Sequence, residues 1–122
     1  KWIREDVRPP SAKPLKLSRM MPEVEFARDK FGNILGGIRL AAHDVPTAKN
    51  TGMNYGATNR FCFLYGSHEP FTEATLDSLY PDHDAYMSAV REVVRRNLID
   101  GYILPYAAEK TLEAAKSSKI GR

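Results

Sequence analysis

The chain contains very little cysteine and no long apolar run. Cys62 is the only cysteine among 122 residues, which excludes an internal disulfide as a source of stability. The longest uninterrupted apolar run spans five residues, 61–65, whereas a membrane-spanning helix needs about 20. The basic start is not followed by the run of about 7–15 apolar residues that marks a secretory signal. We therefore expect a soluble protein with no membrane partner, and the lone thiol slightly favours the cytoplasm.

The common catalytic and cofactor-binding motifs are also missing. The sequence has no G-x-x-x-x-G-K-[ST] phosphate loop, no G-x-G-x-x-G, no H-E-x-x-H and no C-x-x-C, so no cofactor is expected. The nearest approach to the G-x-S-x-G elbow of serine hydrolases is residues 52–56, with Asn54 in place of the serine. Because an amide does not attack an acyl carbon, these residues are interpreted as a turn.

The positive charge is confined to one end of the chain. The net charge is +3, and residues 1–30 hold eight basic and five acidic side chains, which is the whole excess. Residues 31–122 hold ten of each sign. A nucleic-acid-binding domain concentrates basic residues on a folded face, with aromatic side chains for stacking. No nucleic-acid partner is therefore expected.

Residues 1–22 are predicted to be the end of a helix followed by a proline-rich tether. Pro9, Pro10, Pro14 and Pro22 remove amide donors and favour extended geometry, so little regular structure is expected here.

Residues 23–122 are predicted to form an α+β unit that begins with a β-hairpin over residues 24–39. Val24, Phe26 and Arg28 alternate with Glu25 and Ala27, and the turn-forming sequence 29–33 separates them from a second apolar run. The Gly36-Gly37 pair indicates a bulge or a close approach of two backbones. Residues 40–60 show no period and are predicted to be a long irregular loop. The five apolar residues after it are interpreted as a short strand.

The last fifty residues are predicted to be helical. Thr72 and Asp82 are expected to cap two helices, and Gly101 to end the second of them. Pro105 is expected to open a third helix, which a short connection places antiparallel to the second.

The central helix carries one apolar stripe: Tyr86, Val90, Val93, Val94 and Leu98. Such a stripe is normally buried in its own domain, and core packing is the favoured interpretation. The alternative is a stand-alone protein-interaction module that uses the helical hairpin to bind a partner protein.

The three histidines do not form a recognisable metal or catalytic pattern. His43, His68 and His83 are separated by 25 and 15 residues, and no two share a helical face. No metal site is expected. A Cys62–His68 dyad is disfavoured, since the cysteine lies in an apolar run that is typical of a core.

Short motifs spread in order along nearly the whole chain resemble those of bacterial α/β-hydrolase domain-containing proteins. Residues 2–10 are similar to a W-x-x-x-G-x-x-P-P segment, with Asp6 at the glycine position, and residues 29–39 to D-x-x-G-N-x-x-G-G-I-R. The later matches are Asp44-Val45-Pro46, Thr51-Gly52, Tyr65-Gly66-Ser67, Pro70-Phe71, residues 80–86 (similar to Y-P-S-H-x-x-Y, with Asp82 at the serine position) and residues 101–105 (similar to G-x-L-L-P).

This resemblance implies that the chain is the C-terminal portion of a serine α/β-hydrolase that cleaves an ester or similar acyl bond. The catalytic serine, histidine and acid would lie upstream, so no catalytic residue is assigned to this chain. Its partners would be the upstream part of the same hydrolase and a small ester-like substrate. The segment 43–70 is expected to wall the substrate pocket, with four candidate lining residues: Asn54, Arg60, Ser67 and His68.

Overall fold

The computed structural model describes residues 4–52, 61 and 65–122 of the chain. Within these residues lie two antiparallel two-stranded sheets and four helices, which confirms the predicted mixed α+β content. In chain order the elements are β1 (Leu17–Arg19), β2 (Glu25–Phe26), α1 (Ala41–Asp44), β3 (Ala48–Thr51), β4 (Ser67–Pro70), α2 (Glu73–Leu79), α3 (His83–Ile99) and α4 (Pro105–Ser117). None of the helices in the described ranges is long and apolar enough to cross a membrane.

The predicted chain reversal at residues 29–33 is confirmed, but the ladder of the predicted hairpin 24–39 is not. The side chain of Asp29 accepts hydrogen bonds from the amides of Phe31 and Asn33, which closes the turn. The arm after the turn pairs only through isolated bridges, and β2 pairs with β1. The glycine pair explains the broken ladder, because Gly36 and Gly37 have φ of 84° and 64°.

The proline-rich tether has more structure than its composition predicts. Besides forming β1, it donates a hydrogen bond from the amide of Lys16 to the carbonyl of Leu35 (2.9 Å). A Cβ on Gly36 would collide with the carbonyl oxygen of Pro14, so the close backbone approach is confirmed. The expectation of little regular structure is therefore wrong for this part of the segment, because the prolines leave its other amides free to pair. Residues 1–3 of the predicted helix end lie outside the described residues, and residues 4–6 are not helical.

The predicted irregular loop 40–60 is wrong in part, because it contains α1 and β3. β3 pairs with β4 in continuous register, with Asn50 opposite His68 and Thr51 opposite Ser67. Residues 53–60 lie outside the described residues, as do residues 62–64 of the predicted strand.

The local helix signals are confirmed. Thr72 and Asp82 accept hydrogen bonds from the amides of Thr75 and Ala85, as N-caps do. Gly101 follows α3 with φ of 75°, the left-handed conformation of a helix stop, and Pro105 is the first residue of α4.

The core lies between α3, α4 and α1. Four of the five predicted stripe residues of α3 are buried, while Leu98 is 39% exposed and is not a core residue. Leu98 lies in the last turn of α3 and borders an open cleft of about 970 Å³. The imidazole Nδ1 of His83, at the start of α3, donates to the carbonyl of Ile120, just after α4 (2.8 Å), so the two helices are antiparallel as predicted. Because the stripe packs inside the chain, it is not a free face for a partner protein.

Tyr80 links the core to the segment before β3, and this contact should be sensitive to alkaline pH. Its hydroxyl donates to the carbonyl of Pro46 (2.9 Å), and its ring meets Tyr86 edge-on at 5.1 Å. Burial, followed by the charge of Tyr86, raises the pKa of Tyr80 from 10.0 to about 12.

We therefore expect the free energy of unfolding to fall as pH rises from about 10 to about 12. In this window the unfolded chain releases the Tyr80 proton and the folded chain retains it, so unfolding is favoured as pH increases. Urea melts at pH 9 to 12 on the native chain and on Tyr80→Phe would measure the effect. If the free energy of unfolding falls with pH as steeply in Tyr80→Phe as in the native chain, the expectation is contradicted.

Candidate functional site

The candidate site lies on the β3–β4 hairpin, where two of the four predicted lining residues are found. Ser67 and His68 are neighbours on β4, so their side chains point to opposite faces of the sheet. The hydroxyls of Ser67 and Thr51 are 2.6 Å apart and share a hydrogen bond. On the other face, Nδ1 of His68 lies 2.8 Å from Oδ1 of Asn50. The structure therefore keeps Ser67 and His68 apart from each other and pairs each with a residue of β3.

The other two predicted lining residues, Asn54 and Arg60, lie outside the described residues. Both belong to the connection between β3 and β4, which begins and ends beside the Thr51–Ser67 pair. Cys62 also lies outside the described residues, so the disfavoured Cys62–His68 dyad is not placed.

The side chain of Asn33 is hydrogen-bonded to the backbone of β3. Its side chain is fully buried; Nδ2 donates to the carbonyl of Ala48 (3.2 Å), and Oδ1 accepts from the amide of Asn50 (2.9 Å). Its own amide donates to the carboxylate of Asp29 (3.0 Å). The side-chain amide thus takes the place of a neighbouring strand along the edge of β3 and connects it to the turn 29–33.

A network of charges fastens the same turn to the helices. The guanidinium of Arg39 contacts the carboxylates of Asp29 (2.8 Å) and Asp44 (2.5 Å), and Asp44 also contacts Arg96 of α3. Burial opposes the charge of Arg39, but the hydrogen bonds and charges of Asp44 and Asp29 outweigh it, and the pKa of Arg39 is raised. Asn97 completes the link, since its Nδ2 donates to the carbonyl of Arg39 (3.1 Å).

The histidines occupy three separate surroundings. Nδ1 of His43 is buried without a hydrogen-bond partner among the described residues. Both ring nitrogens of His83 are engaged, since Nδ1 donates to Ile120 and Nε2 accepts from Arg122 (3.3 Å). His68 faces Asn50. In the part of the chain that the structure describes, no group of three or more His, Cys, Asp or Glu residues is arranged to hold a metal ion.

All seven serines lie among the described residues, and none of their hydroxyls is hydrogen-bonded to a histidine there. The hydroxyls of Ser18, Ser78 and Ser117 donate to backbone carbonyls. Ser67 is bound to Thr51, and Ser118 Oγ is buried. A serine nucleophile needs an adjacent base and an exposed position on a strand-to-helix turn. The described hydroxyls do not meet these requirements.

The residues that carry the family resemblance are largely ones that hold the chain together. Asp29 and Asn33 build the turn, Pro46 accepts from Tyr80, and a Cβ on Gly66 would collide with the carbonyl of Thr51. Asp6, at the glycine position of the first motif, has φ of 51°, which lies in the left-handed region that favours glycine.

Sequence patterns did not identify Asn50 and Thr51 as the hydrogen-bond partners of His68 and Ser67. Neither β3 nor β4 alternates apolar and polar residues, since their sequences are AKNT and SHEP. The sequence singled out Asn33 only as part of the turn motif 29–33, not as a residue that contacts β3.

Comparison with known proteins agrees with the motif resemblance. Neither the curated proteins nor the solved structures gave a match to the chain. The family model described as "Alpha/beta hydrolase domain" matches residues 1–113. Since this match covers nearly all of the 122 residues, the chain belongs to the alpha/beta hydrolase domain family.

Proposed function

We propose that this chain is the C-terminal, pocket-lining portion of a serine α/β-hydrolase that cleaves an ester or a similar acyl bond. The observation that carries the proposal is the family match over residues 1–113, which supports a hydrolase-type function. Hydrolysis would proceed through an acyl-enzyme on a serine, activated by a base and assisted by donors aimed at the oxyanion.

The catalytic serine of this reaction is assigned to another part of the protein. The described serine hydroxyls are bound to backbone carbonyls, bound to Thr51, buried, or placed on exposed helix and tether positions. Ser67, the strongest candidate by position, points away from His68 across β4. These arrangements favour a supporting role for residues 1–122.

A bracing role is supported by the apolar side chains on the surface. Leu98 and Leu104 line the same open cleft and are 39% and 75% exposed, and Tyr65, just before β4, is 68% exposed. Soluble domains seldom gather large apolar side chains on their surface without a partner. The body of the hydrolase is the proposed partner, and the β3–β4 hairpin would then present its connection to the substrate.

The proposal predicts where a serine-directed probe will react. We expect a fluorophosphonate to leave residues 1–122 unlabelled as an isolated chain, because no described serine has a base beside it. The hydrolase that contains this chain should be labelled at a serine outside these residues. Mass spectrometry of the tryptic peptides locates the adduct, and Ser67→Ala serves as the matched control.

Labelling at Ser67 in the isolated chain, lost in Ser67→Ala, would overturn the assignment of the nucleophile to another part of the protein. Absence of labelling in both the isolated chain and the hydrolase that contains it would overturn the serine mechanism itself.

A further inference from the structure

The hydrogen bond between Asn50 and His68 determines which nitrogen of the imidazole carries the proton. Nδ2 of Asn50 points to the carbonyl of Ala42 (3.5 Å) and Oδ1 points to Nδ1 of His68 (2.8 Å). The reverse amide orientation would set two oxygens against each other at Ala42. Because an amide oxygen only accepts, Nδ1 of His68 must be the donor, and Nε2 of the neutral ring is then an acceptor.

Asn50 is itself held in place through its backbone. Its backbone amide donates to the fully buried Asn33 (2.9 Å), and its position opposite His68 is set by the continuous β3–β4 register. The orientation of the imidazole therefore depends on a connection that runs from Asp29 through Asn33 and Asn50 to His68.

His68 offers an accessible acceptor, which His83 does not. Both nitrogens of His83 are engaged, and Nδ1 of His43 is buried. The side chain of His68 is exposed, and among the described residues no hydrogen bond reaches its Nε2.

We propose that Asn50 is a positioning residue that holds His68 as the Nδ1–H tautomer, so that Nε2 accepts a hydrogen bond from a hydroxyl group of the ligand. The identity of that ligand rests on the proposed function, because water and an alcohol are the reactant and the product of ester hydrolysis and both donate through a hydroxyl. The proposed function itself does not require this tautomer.

The tautomer is measured directly by ¹⁵N–¹H correlation spectra of the histidine rings in the uniformly labelled chain, at a pH where the rings are neutral. We expect His68 to show a protonated Nδ1 and an unprotonated Nε2. Asn50→Ala should lose this signature, because the acceptor is removed. Asn50→Asp should restore it, because a carboxylate oxygen also accepts.

Lys49→Ala is the matched control for that experiment. Lys49 precedes Asn50 on β3, points to the other face and pairs with Glu69 (3.4 Å), so its loss should leave the ring spectrum unchanged. A protonated Nε2 in the native chain, or a spectrum of Asn50→Ala identical to that of the native chain, would overturn the proposal.

Accessibility of Nε2 is tested with diethyl pyrocarbonate, which acylates an unprotonated imidazole nitrogen. Peptide mass spectrometry should find His68 modified before His83, whose nitrogens are both engaged. Equal modification of the two would contradict the role of Nε2 as an open acceptor. Because neither measurement uses a serine probe, failure here is distinguishable from failure of the hydrolase proposal.

Discussion

Asn33→Ala is expected to lower the free energy of unfolding by about 2–6 kcal/mol, since two polar groups lose their partner and each costs about 1–3 kcal/mol when left unsatisfied. The substitution removes the partner of the Ala48 carbonyl and the partner of the Asn50 amide. Both groups lie along β3, and Asn33 is 0% exposed, so water does not replace the lost contacts without rearrangement. Urea melts provide the measurement, provided that the m-value, the dependence of the free energy of unfolding on urea concentration, is the same in both proteins.

Two further variants separate the hydrogen bonds from the volume of the side chain. Asn33→Asp keeps the shape and the acceptor but loses the donor to Ala48 and buries a charge, so it should also destabilise the chain. Lys49→Ala, which removes a half-exposed side chain and its surface ion pair with Glu69, should cost under about 1 kcal/mol. Hydrogen exchange at the Asn50 amide should accelerate in Asn33→Ala. Equal losses in Asn33→Ala and Lys49→Ala would show that the buried amide does not support the strand.

Met87→Ala is expected to cost about 2–5 kcal/mol, the range of large-to-small substitutions in a packed core. Met87 is 4% exposed and belongs to the cluster that α3 forms with α4. The substitution removes the apolar contacts of the long side chain and leaves a cavity, because two packed helices relax only partly around a void. Denaturant melts followed by far-UV circular dichroism would report the loss.

Leu98→Ala is the matched comparison on the same helix. Leu98 is 39% exposed, so less apolar area returns to water and no closed cavity forms; the expected cost is under about 1.5 kcal/mol. Arg95→Ala, at an exposed ion pair with Glu92, should cost less than Leu98→Ala. A loss in Leu98→Ala as large as in Met87→Ala would mean that the cleft beside Leu98 is closed in solution.

The elements that could be predicted from the sequence are those whose determinants lie within a few residues. The caps at Thr72 and Asp82 bond to amides three residues away, and the turn at residues 29–33 is closed by Asp29 itself. The left-handed stop at Gly101 depends on the freedom of one glycine. The opposite directions of Ser67 and His68 follow from the period of an extended chain. The motif resemblance identified the family for the same reason, since it can be read in order along the chain.

Only the tertiary structure decided which segments meet. β3 and β4 pair across 18 residues at Asn50 and His68, and neither strand has an apolar period that would reveal it. Leu98 continues the stripe of α3, but it is 39% exposed because it borders an open cleft at the end of that helix. The positioning of His68 depends on Asn33, whose side-chain oxygen accepts a hydrogen bond from the amide of Asn50 on β3. This contact joins residues that are far apart in the sequence. A side chain's burial and its long-range partners are properties of the packed chain, and local sequence patterns carry no information about which distant backbone group will be left without a partner.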